Sequence, residues 1–153
     1  MVDHIHSLIR KWHKLPIKLI VIVVDKECNL DKINWSQLSK NPNAISLLKQ
    51  HLNKINWENL SQNPNAISLL EQNPDKINWF YLSQNPNAIH LLEQNPDKID
   101  WSNLVHNPNP NAIRLLEQNP DKIDWKWLSQ NPNAIHLLEQ NLIKKIIQRW
   151  TWI

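Results

Sequence analysis

Glycine is absent from the 153 residues, and cysteine, tyrosine and phenylalanine occur once each. Without glycine there is no Gly-rich loop to cradle a phosphate or a dinucleotide. The single Cys28 excludes an internal disulfide framework, reads as a small apolar filler, and fits a reducing, intracellular (cytoplasmic) setting. The apolar run Ile17–Val24, interrupted by Lys18, falls short of the about 20 residues needed to cross a bilayer. A basic stretch precedes that run as in a signal peptide, but Asp25-Lys26-Glu27 follows where a small-residue cleavage site belongs. No nucleophile–His–acid spacing and no HExxH pattern occurs. His4, His6 and His13 with Cys28 lack the spacing of a closed zinc site. The chain is therefore expected to be no enzyme and to need neither metal nor cofactor.

What the sequence does contain is one stretch copied several times. Asn85-Pro86-Asn87-Ala88-Ile89-His90-Leu91-Leu92-Glu93-Gln94-Asn95-Pro96-Asp97-Lys98-Ile99-Asp100-Trp101 recurs with small changes from about residue 29 to residue 140. Trp35, Trp57, Trp79 and Trp101 are 22 residues apart, and Trp125 follows after 24. A fixed period of this size is the signature of stacked-repeat architectures, in which each unit contacts only its neighbours. Hydrophobic residues make up 41% of the chain and nine are Trp, enough for a continuous core between units.

Each unit holds two helix starts. In Asn85-Pro86-Asn87-Ala88-Ile89, Asn85 is an N-cap and Pro86 fits the first helical position, where its missing N–H is not needed. Ala88, Ile89, Leu91 and Leu92 fall within an arc of about 160°, with His90 pointing the other way, which predicts an amphipathic helix of about two turns. The residue before each repeated Trp is Asn34, Asn56, Asn78, Asp100 or Asp124, all good caps. With Asn78 as N-cap, Ile77 and Leu82 have the spacing of a hydrophobic staple. Asn73-Pro74-Asp75-Lys76 then reads as a turn, and a helix of little more than one turn starts at Trp79. The tryptophans share a face with Leu38, Leu60, Leu82, Leu104 and Leu128, so they belong to the core. The doubled Asn107-Pro108-Asn109-Pro110 reads as a surface bulge between two helices. The expected fold is thus all-α, a short-helix α-solenoid of about five 22-residue repeats with terminal caps.

The two ends differ from the body. Residues 1–28 read as an N-terminal cap or degenerate segment, 29–140 as the repeats, and 141–153 as a basic amphipathic C-terminal cap with its apolar side on the last repeat. The net charge of +3 belongs to those ends: residues 25–140 carry ten Lys/Arg against thirteen Asp/Glu.

The two alternating motifs resemble short tandem repeats of uncharacterised giant DNA virus proteins, and the plan is similar to the leucine-rich variant type of α-solenoid. That resemblance covers about residues 29–140, implies an infected host cell as the setting, and supplies no functional residues.

Positions that vary within an otherwise copied unit are expected on the surface. Opposite the buried face of the longer helix these are Ser46, Ser68, His90, Arg114 and His136, and two residues after the core Trp come Tyr81 and Trp127. Exposed Tyr, Trp and Arg are common interface anchors. Tyr81, His90, Arg114, Trp127 and His136 are accordingly the expected partner-binding residues, and the partner a protein. Nucleic-acid binding by a helical-repeat code is the alternative, which the acidic body opposes because phosphate binding relies on Lys and Arg. A structural role in a viral particle is a third.

Overall fold

In a computed structural model of the chain, the structure describes residues 30–150. The readings placed on residues 1–29, including the N-terminal cap, Cys28 and the three early histidines, lie outside the described residues. Two compact units are distinguished, residues 1–34 and 35–153. Of the first, residues 30–34 are described, with a single 3-10 turn at Leu30–Lys32.

The described part of the second unit is all-helical, and no strand occurs among the described residues. Five helices begin at the repeated tryptophans: α1 (Trp35–Lys40), α3 (Trp57–Ser61), α5 (Trp79–Leu82), α7 (Trp101–Leu104) and α9 (Trp125–Leu128). Five more follow the Asn-Pro motifs: α2 (Ile45–Gln50), α4 (Ile67–Glu71), α6 (Ile89–Gln94), α8 (Pro110–Gln118) and α10 (Ile135–Trp150). All but α8 and α10 have six residues or fewer. Isolated helices of that length do not persist in water, so packing must hold them.

The caps before the tryptophans fall where the sequence puts them. Helices α4 and α6, however, start at Ile67 and Ile89, behind Ala66 and Ala88 that give no side-chain cap, and not at Pro64 and Pro86, which lie in a turn. The side-chain oxygens of Asn56, Asn78 and Asp100 accept from the backbone N–H of Asn59, Tyr81 and Asn103, and Asp124 accepts from both Lys126 and Trp127. The Pro-Asp-Lys segments form single 3-10 turns, with Lys76, Lys98 and Lys122 N–H donating to the carbonyls of Asn73, Asn95 and Asn119.

Packing follows the copied positions. Leu60, Leu82, Leu104 and Leu128 from the Trp helices are fully buried, as are Leu48, Leu70, Leu92 and Leu116 from the others. Burying one such side chain stabilises by about 1.5–3 kcal/mol, and the same site is Leu in every copy, half-buried at Leu38 and Leu138. The tryptophans are half-buried against this core, and Lys98 Nζ stands 5.1 Å above the ring of Trp79. Helix α1 packs on α3, α3 on α5, and α6 on α8.

Two local expectations are corrected. The doubled Asn-Pro does not bulge as a loop; it lengthens α8 to nine residues. Asn109 takes over the capping of that helix, accepting from Asn111 N–H, and Ala112 returns to the buried position of Ala88. At the other end, residues 141–150 do not fold down as a separate cap. They continue α10 in one unbroken helix, and Leu142, Ile143, Ile146 and Ile147 are exposed. The reason lies in the helical register. Buried Leu137 and half-buried Leu138 lie on the side that, two turns later, carries Lys144 and Lys145.

Candidate interaction surface

The surface columns are positioned by a buried ladder of asparagines. Asn85 is 1% exposed, and its amide nitrogen donates to Ser61 O at 2.9 Å and Asn63 O at 3.0 Å, both in the preceding sequence unit. Its oxygen accepts from Asn87 N–H at 3.0 Å. Asn63, Asn107 and Asn131 repeat this arrangement, each donating to two carbonyls 22 to 26 residues earlier. A side-chain amide has two N–H donors, and each is used here. The asparagine two residues further on adds an outer bond: Asn65, Asn87, Asn109 and Asn133 donate to the carbonyls of Pro42, Pro64, Pro86 and Pro108.

Serine supplies a second link. Ser39, Ser61 and Ser83 each donate to the carbonyl of the Trp that starts their helix and accept from the N–H of Asn56, Asn78 and Asp100 respectively. Val105 occupies the corresponding position in the fourth copy and is fully buried. Among the described residues, every buried side-chain nitrogen or oxygen has a partner.

On this frame the five expected residues are divided. His90 on α6 and Arg114 on α8 line one open depression of about 420 Å³, together with Asn87, Glu93, Asn109 and Asn111. Both are tied to the preceding copy: His90 Nε2 lies 2.7 Å from Glu71 Oε1, and Arg114 Nη2 donates to Glu93 Oε1 at 2.7 Å. The remaining three do not line that depression. Tyr81 on α5 is half-buried, with the ring of Phe80 edge-on at 5.0 Å, whereas Phe80 itself is exposed. Trp127 on α9, at the equivalent position, is 43% exposed and meets His106 edge-on at 5.7 Å. His136 on α10 is exposed, and Gln140 Nε2 stands 2.7 Å from its Nε2.

Three residues of this surface escaped the sequence reading. Glu71 and Glu93 occupy the same position in successive copies and are the partners of His90 and Arg114. His106 stands where three other copies have Gln and one has Lys. The asparagine ladder was half-seen, as a cap only. Its signal is in the copies: the pre-Trp cap is Asn in three units and Asp in two, whereas the residue before Pro-Asn is Asn in all five units. Capping accepts Asp, Ser or Thr equally well, so the fixed Asn demands an N–H₂ group.

The depression offers amides, an imidazole, a carboxylate and a guanidinium, a set suited to polar contacts. No group of three His, Cys, Asp or Glu is arranged to hold a metal ion among the described residues. Among the same residues no helix is long and apolar enough to cross a membrane. Comparison with protein-family models, curated proteins and known structures finds no match for this chain.

Proposed function

We propose that the chain is a non-enzymatic α-solenoid of five stacked units that binds another protein through the variable columns on its surface. The observation that carries this reading is the division of labour within each unit. Residues fixed between copies, Asn85 and Leu82 among them, are buried and bonded, while His90 and Arg114 vary and line one open depression. The fixed frame limits the entropy lost on binding, because the anchors are already held in place. The contacts of His90 with Glu71 and of Arg114 with Glu93 are exposed and worth about 0.2–1 kcal/mol each, so a partner displaces them at small cost. Trp127 and Tyr81 extend the surface with aromatic area, the kind that anchors interfaces.

The test is capture from cell lysate by the wild-type chain and by a variant with Tyr81, His90, Arg114, Trp127 and His136 all replaced by Ala. The melting curve of the variant is compared first. A protein retained by wild type and lost by an equally stable variant supports the assignment. Equal retention by both moves the binding face elsewhere and overturns it.

A further inference from the structure

The C-terminal half of α10 is a surface of a different kind. Leu142, Ile143, Ile146, Ile147 and Trp150 are 61, 55, 56, 56 and 70% exposed. At about 100° per residue they form one stripe of about 140°, and Lys144, Lys145, Gln148 and Arg149 fill the opposite arc. Lys144 and Arg149 stand at its two edges. No Asp or Glu occurs after Glu139. Leu137 and Leu138, which hold the first half of the helix to its unit, lie on the lysine side, so the stripe faces away from the body. Beside it, Trp125, Leu138, Asn141, Leu142 and Lys145 line a shallow recess of about 270 Å³.

We propose that this half-helix lies along an anionic lipid surface, with the stripe in the acyl boundary and the basic side chains among the headgroups. A stripe of Leu, Ile and Trp edged by Lys and Arg is the pattern that settles in the plane of a membrane interface. Long basic side chains at the edges reach the headgroups while their stems cover apolar surface. Charge decides between occupants. Three cations with no intervening carboxylate complement phosphatidylserine, and the body stands on the far side of the helix, clear of the bilayer. Glu139, one turn before Leu142 on the same face, marks where the contact ends.

The experiment is co-sedimentation of the full chain with vesicles of phosphatidylcholine alone and with about a third replaced by phosphatidylserine. The chain binds the anionic vesicles. Lys144→Gln, Lys145→Gln and Arg149→Gln together lower the partition coefficient about a hundredfold, some fivefold per charge. Ile146→Asp with Ile147→Asp abolishes binding, and neither variant shifts the melting curve because all five positions are exposed. Binding that survives both variants assigns the lipid contact to another part of the chain and overturns the proposal. So does equal binding to neutral vesicles, or no binding to either. A concentration-dependent dimer of wild type that Ile146→Asp with Ile147→Asp disperses gives the stripe to a second copy instead, with the same consequence.

Discussion

Replacing Asn85 by Ala removes three hydrogen bonds from a side chain that is 1% exposed. The lost turn bond from Asn87 N–H costs about 1 kcal/mol. Ser61 O and Asn63 O lose a donor in the interior, at about 1–3 kcal/mol for each group left unsatisfied. Asn63 O still accepts from Ala66 N–H, which holds its share to the lower end. The total is about 3–4 kcal/mol, a large part of the 5–15 kcal/mol that stabilises a typical domain. For a chain of this size it lowers the melting temperature by about 10 °C. The control is Asn87→Ala, which removes one exposed bond to Pro64 O and costs under about 1 kcal/mol. A second variant, Asn85→Asp, keeps the capping oxygen but turns an oxygen toward both carbonyls. Ionisation is disfavoured there, so the folded-state pKa of that carboxyl is raised, and its destabilisation is smallest in acid and grows as pH rises. Urea unfolding followed by circular dichroism measures all three. Equal midpoints for Asn85→Ala and Asn87→Ala, or a loss below about 1 kcal/mol for the former, refutes the ladder as the tie between units.

Other outcomes follow from the same contacts. Ser61→Ala leaves Asn78 N–H without its acceptor and costs about 1–3 kcal/mol, whereas exposed Ser129→Ala is nearly neutral in the same assay. Trp79→Ala costs about 2–4 kcal/mol through lost burial and the lost contact with Lys98, while Trp127→Ala stays under about 1 kcal/mol; thermal melts separate them. Deleting Asn109-Pro110 joins Pro108 to Asn111 and leaves Asn107 both roles, as in the other copies. That variant unfolds within about 1 kcal/mol of wild type by urea titration, and a collapse of stability shows that α8 needs its extra turn.

Helix starts at the tryptophans and the buried positions were legible because each rests on local chemistry. A cap at Asn78, a staple from Ile77 and the arc Ala88–Leu92 need no knowledge of a neighbour. The ladder was not legible in the same way, since one capping argument uses only the oxygen of Asn85 and its nitrogen bonds a carbonyl 24 residues away. The doubled Asn-Pro misled for a related reason. Proline breaks a helix it sits within, but at Pro110 it occupies the first turn behind a fresh cap, where it is well tolerated. The C-terminal helix turned on phase: its amphipathic stripe was visible, but its orientation depended on Leu137 and Leu138 fixing the other side. Of the five residues expected at the surface, His90, Arg114, Trp127 and His136 are exposed, while Tyr81 is half-buried.

The proposal that the units are interchangeable members of one stack is tested most directly by removing one. Deleting residues 63–84 joins Gln62 to Asn85 and restores the motif with every copied position in register. In a stack whose stability is a sum of unit and neighbour terms, the shortened chain keeps its helical circular dichroism and unfolds cooperatively at a lower urea midpoint. An eleven-residue deletion over the same region, which breaks the register, loses both. If the 22-residue deletion also abolishes cooperative unfolding, the copies are not interchangeable and the solenoid account fails.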